Sequence, residues 1–160
     1  MVIEYVSLEK CRSFGRAVAS VCRERLYLAT TTGFSLQQTE QFVKRIIKNQ
    51  ESQFYAIEHD EVIGWCDILP REQELLAHTG VLGMGIVEGF RHKGIGTELL
   101  NRTISHARER GLERIELEVF ASNTAAIRLY EKTGFVKEGV KKKGKKLDNK
   151  FEDIVIMGLV

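Results

Sequence analysis

The 160-residue sequence has few of the features that mark secreted, membrane-spanning or disordered proteins. It contains a single proline, which excludes a proline-rich linker or tail. No apolar run exceeds five residues, whereas a membrane-spanning helix needs ~20, and the first residues lack the basic start and apolar stretch of a signal peptide. The three cysteines, Cys11, Cys22 and Cys66, are odd in number and match no metal-ligand spacing. These absences predict a cytoplasmic protein with reduced thiols, no membrane association and no metal.

Charge of one sign is also scarce, because the formal net charge is only +2 at pH 7. The basic excess is concentrated in a lysine run at residues 141–146, where five of six residues are lysine. Such a run is one signature of nucleic-acid binding. Because the overall charge is low and no aromatic residues are interleaved with these lysines, we expect a solvated hairpin turn and no nucleic-acid partner.

The apolar periodicity predicts a mixed α/β protein in one domain, residues 1–160, which no linker, repeat or low-complexity segment divides. The predicted order of elements is β-α-α-β-β-β-α-β-α-β-β. Apolar runs and alternation predict strands over residues 2–6, 53–58, 62–69, 81–87, 114–120, 135–141 and 151–159. Helical spacing predicts helices over residues 7–22, after a capping box at Ser35 and Gln38, over 94–110, and over 124–133 with Ser122 as its cap.

A glycine-bearing turn between a strand and a helix is the most informative local feature. Gly94 and Gly96 lie at the predicted helix start, directly after Arg91 and Lys93. The first N–H groups of a helix have no intrahelical partner and lie at the positive end of the helix dipole. Glycines there let a phosphate approach the backbone closely. The residues therefore predict a pyrophosphate cradle.

Two common phosphate-binding loops do not match this turn. In a Walker A loop the lysine follows the last glycine, whereas Lys93 precedes Gly94. A dinucleotide fingerprint requires glycine where this chain has Leu99, and no acidic residue closes a following strand in a plausible parallel unit. These residues alone are equally compatible with a glycine-rich turn that binds no ligand.

Two motifs in a fixed order, one at this turn and one about thirty residues later, resemble the signatures of a single family. Arg91-x-x-Gly94-x-Gly96 resembles the Arg/Gln-x-x-Gly-x-Gly/Ala signature of the GCN5-related N-acetyltransferase (GNAT) family. The segment from Asn123 to Phe135, Asn-Thr-Ala-Ala-Ile-Arg-Leu-Tyr-Glu-Lys-Thr-Gly-Phe, is similar to the family's Asn-x-x-Ala-x-x-Leu-Tyr-x-x-x-Gly-Phe signature. The resemblance is firm over residues 54–160 and diffuse over residues 1–53.

The resemblance implies a single-domain GNAT-like fold with a mostly antiparallel central sheet, flanking helices and one splayed parallel strand pair, residues 81–87 and 114–120. Residues 54–160 form the acetyl-CoA-binding core, and residues 1–53 form variable helices on the acceptor side. The implied function is an acetyl-CoA-dependent N-acetyltransferase that moves an acetyl group to a primary amine by direct attack in a ternary complex. A non-catalytic acyl-CoA sensor with the same fold is the alternative.

The family's cofactor-binding positions map onto matching residues of this chain. Asn123 corresponds to a side-chain amide that holds the pantetheine arm, although it could instead cap its own helix. The residues that the resemblance assigns to the acetyl and pantetheine portions, through their backbone, are Met84, Gly85 and Ile86. Those that it assigns to the pyrophosphate loop are Arg91, His92, Lys93, Gly94, Ile95, Gly96 and Thr97.

Tyr130 corresponds to the tyrosine that protonates the leaving thiolate, since a phenol with a pKa of about 10 is protonated at pH 7. Its alternative role is that of a core aromatic. Glu118 is the predicted base, because Glu118-Val-Phe-Ala-Ser-Asn is similar to a segment of ribosomal-protein N-terminal acetyltransferases. Glu116 and His78 are weaker candidates, and both glutamates could be solvated carboxylates only.

The acceptor amine is expected to be a small molecule or a protein N terminus, and the sequence does not identify it. Residues 23–25 and Tyr27 are candidates for lining its pocket, or are simply solvated. Cys66 is expected to be a buried small hydrophobic residue. A homodimer is left open.

Overall fold

The structure, a computed structural model, describes residues 1–160 and contains seven strands and four α-helices. A short 3-10 turn, Glu74–Leu76, lies between the third and fourth strands. None of the helices is long and apolar enough to cross a membrane. In chain order the elements are β1 (Val2–Tyr5), α1 (Cys11–Arg23), α2 (Leu36–Lys48), β2 (Ser52–Glu58), β3 (Glu61–Pro70), β4 (Thr79–Ile86), α3 (Ile95–Glu109), β5 (Arg114–Phe120), α4 (Thr124–Thr133), β6 (Val136–Leu147) and β7 (Lys150–Leu159).

The seven strands form one sheet in the order β1-β2-β3-β4-β5-β7-β6. All neighbouring strands are antiparallel except β4 and β5, which are parallel. The mixed α/β fold class, with a mostly antiparallel sheet and one parallel pair, is therefore confirmed. A parallel pair requires a crossover connection, and α3 supplies it.

The sheet separates two apolar cores. Ile115, Leu117 and Val119 of β5 are buried in the core that α3 and α4 cover, as the strand's alternation predicts. The opposite face of the sheet packs against α1 and α2, where Phe14 and Trp65 belong to the second core. Because side chains alternate along a strand, Glu116 and Glu118 of β5 lie on this second face.

The helix ends carry local signals, and the capping box of α2 is observed as predicted. The Ser35 hydroxyl accepts a hydrogen bond from the Gln38 N–H at 3.1 Å, and the Gln38 carboxamide oxygen accepts from the Ser35 N–H at 3.0 Å. The α3 and α4 helices end at Gly111 and Gly134, with φ of +93° and +109°. Glycine populates this left-handed region without steric cost, which is why it ends these helices.

Two local predictions were wrong. The lysine run does not form the hairpin turn but lies within β6, and the turn is made by Asp148 and Asn149, both with positive φ. Aspartate and asparagine tolerate the left-handed conformation that a tight turn requires, whereas the lysines face acidic residues across the strands. The cap of α4 is Asn123 rather than Ser122, because only the residue directly before the first helical residue can fill that role.

Candidate active site

The parallel strands β4 and β5 separate soon after they meet. They pair only from Thr79 to Val81 on β4 and from Arg114 to Glu116 on β5. Beyond Val81, β4 continues to Ile86 without a strand partner on that side, while β3 still pairs with its other edge. The splay that the family resemblance implied is thus present, and it leaves unpaired backbone groups facing a gap.

The N-terminus of α3 faces the same gap. Gly94 is the cap residue, with φ of +82°, and no side chain caps the helix. The Glu98 N–H is the first to bond back, donating to the Gly94 carbonyl at 3.2 Å. The first-turn N–H groups from Ile95 to Thr97 have no acceptor in the protein, so they are available to an anion at the positive end of the helix.

The two glycines of this turn are required for different structural reasons. A Cβ at Gly94 would meet nothing within 4 Å, so the residue is open to a ligand and is required for its positive φ. A Cβ at Gly96 would lie 3.1 Å from Leu129 Cδ2 and 3.3 Å from Ile86 Cδ1. The sequence motif predicts that both glycines allow a phosphate to approach. In the structure, Gly96 also allows α3 to pack closely against α4 and β4.

A cavity of about 500 Å³ lies between the splayed strands, α3 and α4, and we call it the cofactor cavity. Lys93, Ile95 and Glu118 do not line it: Lys93 lies over the Phe90 ring, and Ile95 is buried in the core. The predicted site residues that do line it are Met84, Gly85, Ile86, Arg91, His92, Gly94, Gly96, Thr97, Asn123 and Tyr130.

Tyr130 lies on α4 with only 6% of its surface exposed. Burial, together with nearby Cys66, raises the pKa of the phenol above its usual value, because the phenolate is disfavoured in an apolar site. Its ring packs against Phe135, with ring centroids 5.7 Å apart. Tyr130 is therefore both a core aromatic and a protonated hydroxyl at the cofactor cavity, and its role as proton donor to the thiolate stays a prediction.

Asn123 caps its own helix and also lines the cofactor cavity. Its Oδ1 accepts a hydrogen bond from the Ala126 N–H at 3.2 Å, which caps α4. The capping bond uses only the oxygen, and the residue lines the cofactor cavity. The side-chain NH₂ group, a donor of two hydrogen bonds, is therefore left for a ligand.

Arg91 is held by the protein itself. Its guanidinium forms a bidentate ion pair with Glu24 at 2.6 and 2.7 Å, and its Nε donates to the Ile86 carbonyl at 2.9 Å. The guanidinium also lies 4.6 Å from the centre of the Tyr27 ring. Arg91 thus ties the C-terminal end of α1 to the end of β4. Among the residues predicted to line the acceptor pocket, Glu24 and Tyr27 contact Arg91. Arg25 pairs with Asp148 at 2.9 Å.

The predicted base and its alternatives lie outside the cofactor cavity. Glu118 is half exposed and forms an ion pair with Lys141. Glu116 is held between Arg71 and Arg114, which lower the pKa of its carboxyl. His78 is exposed and contributes its backbone carbonyl to hydrogen bonds with the start of β5.

A second cavity, of about 480 Å³, lies on the other face of the sheet under α1 and α2. Met84 lines both cavities, so they adjoin at this residue. Asp67 of β3 contributes a carboxylate to the second cavity, and neither sequence motif includes this residue. Burial raises its pKa to about 7. One signal was available: Asp67 interrupts an otherwise apolar strand, Val-Ile-Gly-Trp-Cys-Asp-Ile-Leu.

Splayed parallel strands, a helix N-terminus aimed at the gap and a second cavity beside it are the architecture of an acyl-CoA-dependent acyltransferase domain. The family model described as "Acetyltransferase (GNAT) family" matches residues 19–135, which is more than half of the chain. The chain therefore belongs to the GNAT acetyltransferase family, and it is an acetyltransferase enzyme.

Relatives and a solved structure agree with this assignment. The chain is 27% identical to the uncharacterised N-acetyltransferase YdgE of Bacillus subtilis over 87% of this chain and 94% of that protein. It is 32% identical to the [ribosomal protein bS18]-alanine N-acetyltransferase of Escherichia coli over 54% and 59% of the two chains. The structure of yncA from Salmonella typhimurium with its cofactor acetyl-CoA shares the fold, with a TM-score of 0.93, 18% identity and coverage of 99% and 92%.

Proposed function

We propose that the protein transfers the acetyl group of acetyl-CoA to a primary amine, by direct attack of the amine in a ternary complex. The observation that carries the proposal is the meeting of the two cavities at Met84. One cavity offers free N–H groups to an anion, and the other lies across the splayed sheet and offers a carboxylate. Two substrates bound there would meet at the gap between the strands without a covalent enzyme intermediate.

The residues present suit acetyl-CoA. Unpaired N–H groups at the start of α3, with Gly94 exposed beside them, would accept the pyrophosphate. The open edge of β4 from Met84 to Ile86 would pair with the amide groups of the pantetheine arm and hold the acetyl group. The NH₂ group of Asn123 would donate to the same arm. His92 would add a donor near the phosphates, and the adjacent Lys93, outside the cavity lining, would add positive charge.

Tyr130 is the proposed proton donor. When the amine nitrogen bonds to the acetyl carbon and the carbon–sulfur bond breaks, the thiolate of CoA requires a proton. A phenol kept protonated by burial supplies it and is reprotonated by the proton that the new amide nitrogen loses. The raised pKa of Tyr130 supports this assignment.

Glu118 remains a proposed base. Because its carboxylate is half exposed and paired with Lys141, it would take, through water, the proton that a charged amine must lose before it attacks. Glu118→Gln keeps the shape and removes the proton acceptor, and Glu116→Gln is the matched control on the same strand face. A selective fall of kcat in Glu118→Gln, with a displaced acidic limb of the pH profile, would support this role. Equal losses in both variants would indicate electrostatic attraction of the acceptor instead.

The defining experiment measures thiol release from acetyl-CoA with a panel of acceptors. The panel contains small aliphatic and aromatic amines and peptides with free N termini, because one relative acts on a ribosomal-protein N terminus. We expect steady thiol release with at least one acceptor. Tight acetyl-CoA binding without thiol release for any acceptor would instead identify the acyl-CoA sensor.

A further inference from the structure

The second cavity, which we call the acceptor pocket, has one charged residue in an otherwise uncharged lining. Asp67 is that residue among fifteen, and the lining contains no arginine, lysine or histidine. Its volume of about 480 Å³ is in the range of small-molecule sites. Apolar and aromatic side chains make up most of the wall: Phe14, Val18, Leu28, Phe34, Phe42 and Trp65.

The Asp67 carboxylate has one oxygen engaged by the protein and one left for the pocket. The Gln53 side chain donates from Nε2 to Oδ2 at 3.1 Å. The residue opposite Asp67 on β4 is Gly83, and a Cβ there would lie 3.4 Å from Oδ1. Because Gly83 has no side chain, Oδ1 stays accessible on the face of the sheet that lines the pocket.

No cationic side chain compensates this carboxylate. Asp67 forms no ion pair, and burial without a counter-ion is what raises its pKa to about 7. A charged group in an apolar pocket is costly unless it is paired. A ligand ammonium group would supply the missing charge. A ligand carboxylate or phosphate would meet repulsion and no cationic partner in the pocket.

The position of Asp67 also suits the reaction. Gly83, opposite Asp67, directly precedes Met84, the residue that lines both cavities. An amine nitrogen at Oδ1 would therefore lie at the border of the two cavities, beside the place proposed for the acetyl group. The apolar wall would then hold the carbon skeleton of the amine.

We propose that the acceptor pocket binds a small primary amine with an aliphatic or aromatic body, and that Asp67 binds its ammonium group and accepts a proton from it. This inference rests on the proposed acetyl transfer. The ammonium gives one proton to Asp67, which takes the place of Glu118 as the base, and the neutral nitrogen forms its bond to the acetyl carbon as the carbon–sulfur bond breaks. A second nitrogen proton balances the one that Tyr130 gives to the thiolate, and Asp67 returns its proton to solvent.

Binding can be measured without turnover, because Trp65 is the chain's single tryptophan and lines the pocket. We expect 2-phenylethylamine to change Trp65 fluorescence saturably at pH 8, and 3-phenylpropionate to cause no saturable change. Asp67→Asn keeps the side-chain shape and an oxygen that accepts from Gln53. It should weaken amine binding about 10-fold or more, as loss of a partly buried charge partner does. Asp60→Asn, an exposed carboxylate at the β2–β3 turn, is the matched control and should bind normally.

Kinetics separate the two roles of Asp67. We expect Asp67→Asn to raise KM for 2-phenylethylamine about 10-fold and to lower kcat about 10²-fold, with unchanged acetyl-CoA affinity by calorimetry. A raised KM with full kcat would overturn the proton-accepting role. Normal binding and kinetics in Asp67→Asn would overturn the whole inference.

A second variant tests the pocket without altering its charge. Gly15 of α1 lines the pocket, and a Cβ there would lie in ordinary contact with Thr39, 3.7 Å away. Gly15→Leu should fill the pocket and abolish the fluorescence response. Thiol release with peptides or polar amines alone would overturn this inference and leave the proposed function intact. Absence of thiol release with every acceptor would overturn the proposed function, and the fluorescence titration would still report on the pocket.

Discussion

Tyr130 is buried and Asp67 is part-buried, and for these two titratable side chains burial has opposite chemical consequences. Burial raises the pKa of both, because an apolar surrounding disfavours the charged form of an acid. The phenol therefore stays protonated well above physiological pH and can donate. The carboxyl group is moved into the physiological range, to about 7, where it can both accept and release a proton.

Removal of the Tyr130 hydroxyl tests its role as acid. We expect Tyr130→Phe to lower kcat about 10²-fold, because the leaving thiolate loses its proton donor while the ring packing is kept. Calorimetry should show acetyl-CoA affinity within about two-fold of the unaltered protein. Tyr5→Phe, which removes a hydroxyl that donates to the Glu51 carbonyl, is the control and should keep full activity. Full activity in Tyr130→Phe would mean that water or another group protonates the thiolate.

Asp67 also makes stability depend on pH. Its pKa is 3.8 in the unfolded chain and about 7 in the fold, so between these values the folded protein holds a proton that the unfolded chain releases. The free energy of unfolding therefore falls as pH rises through this window. The neighbouring groups, Tyr55 on β2 and Cys66 on β3, have pKa values raised by burial and stay neutral there.

We therefore expect Asp67→Asn to be more stable than the unaltered protein at pH 8.5 and about equally stable at pH 4. The full pKa difference corresponds to about 4 kcal/mol in a dry site. Solvent in the acceptor pocket screens the charge, so we expect a gain of about 2 kcal/mol at pH 8.5. Urea unfolding across the pH series measures this gain. Identical pH slopes for both proteins would show that Asp67 titrates normally.

At the scale of secondary-structure elements, the N-terminus of α3 combines three properties of an anion site. The helix begins without a side-chain cap, its first N–H groups have no acceptor, and Gly94 opens the surface in front of them. The adjacent loop is held in place by Arg91, whose ion pair with Glu24 joins it to α1. The free N–H groups of α3 are therefore in position to bind an anion before any ligand arrives.

Gly94→Asp tests this site by placing a carboxylate where the pyrophosphate would bind. Aspartate tolerates the left-handed φ of +82° better than most residues, and a negative charge at a helix N-terminus stabilises the helix. We expect acetyl-CoA affinity to fall about 10²-fold or more while the melting temperature without ligand is kept or raised. Gly94→Asn, with similar shape and no charge, should lose much less affinity. Unchanged affinity in a folded Gly94→Asp would refute the cradle.

At the scale of the whole molecule, the lysine run lies on an edge strand of the sheet. The β6 strand is the last in the sheet order, so one of its edges has no partner. Three of the lysines pair with acidic residues of neighbouring strands: Lys141 with Glu118, Lys142 with Asp153 and Lys145 with Glu152. Lysines on an edge strand oppose edge-to-edge pairing between molecules. We therefore predict that the run protects this edge of the sheet.

We expect the triple variant Lys142→Thr, Lys143→Thr and Lys146→Thr to self-associate, because it removes positive charge from an exposed edge and adds β-forming residues. Light scattering across a concentration series measures the association. The control replaces Lys44 and Lys48 of α2 and Lys132 of α4 by glutamine and should stay dispersed. Salt-sensitive retention of the unaltered protein on DNA, lost in the triple variant, would instead support a nucleic-acid role for the run.

Much of the fold could be predicted because its signals are local. Alternation in β5, the capping box of α2 and the glycines that end α3 and α4 each depend on a few neighbouring residues. The family signatures indicated the splayed strand pair and the residues around it. The errors, at Ser122 and in the lysine run, are also local. They concern which of several adjacent polar residues adopts the cap or turn conformation, and neighbouring strands decide that.

The sequence by itself determined the element order, the mixed α/β class and the GNAT signatures, because periodicity, caps and motifs are written in consecutive residues. Only the tertiary structure decided which polar side chains share a site. It paired Arg91 with Glu24 and placed Glu118 outside the cofactor cavity. It also set Asp67 on the floor of a pocket that α1 and α2 close from far away in the chain. Burial and charge pairing depend on residues distant in sequence, so the chemistry of a carboxylate is set only when the chain has folded around it.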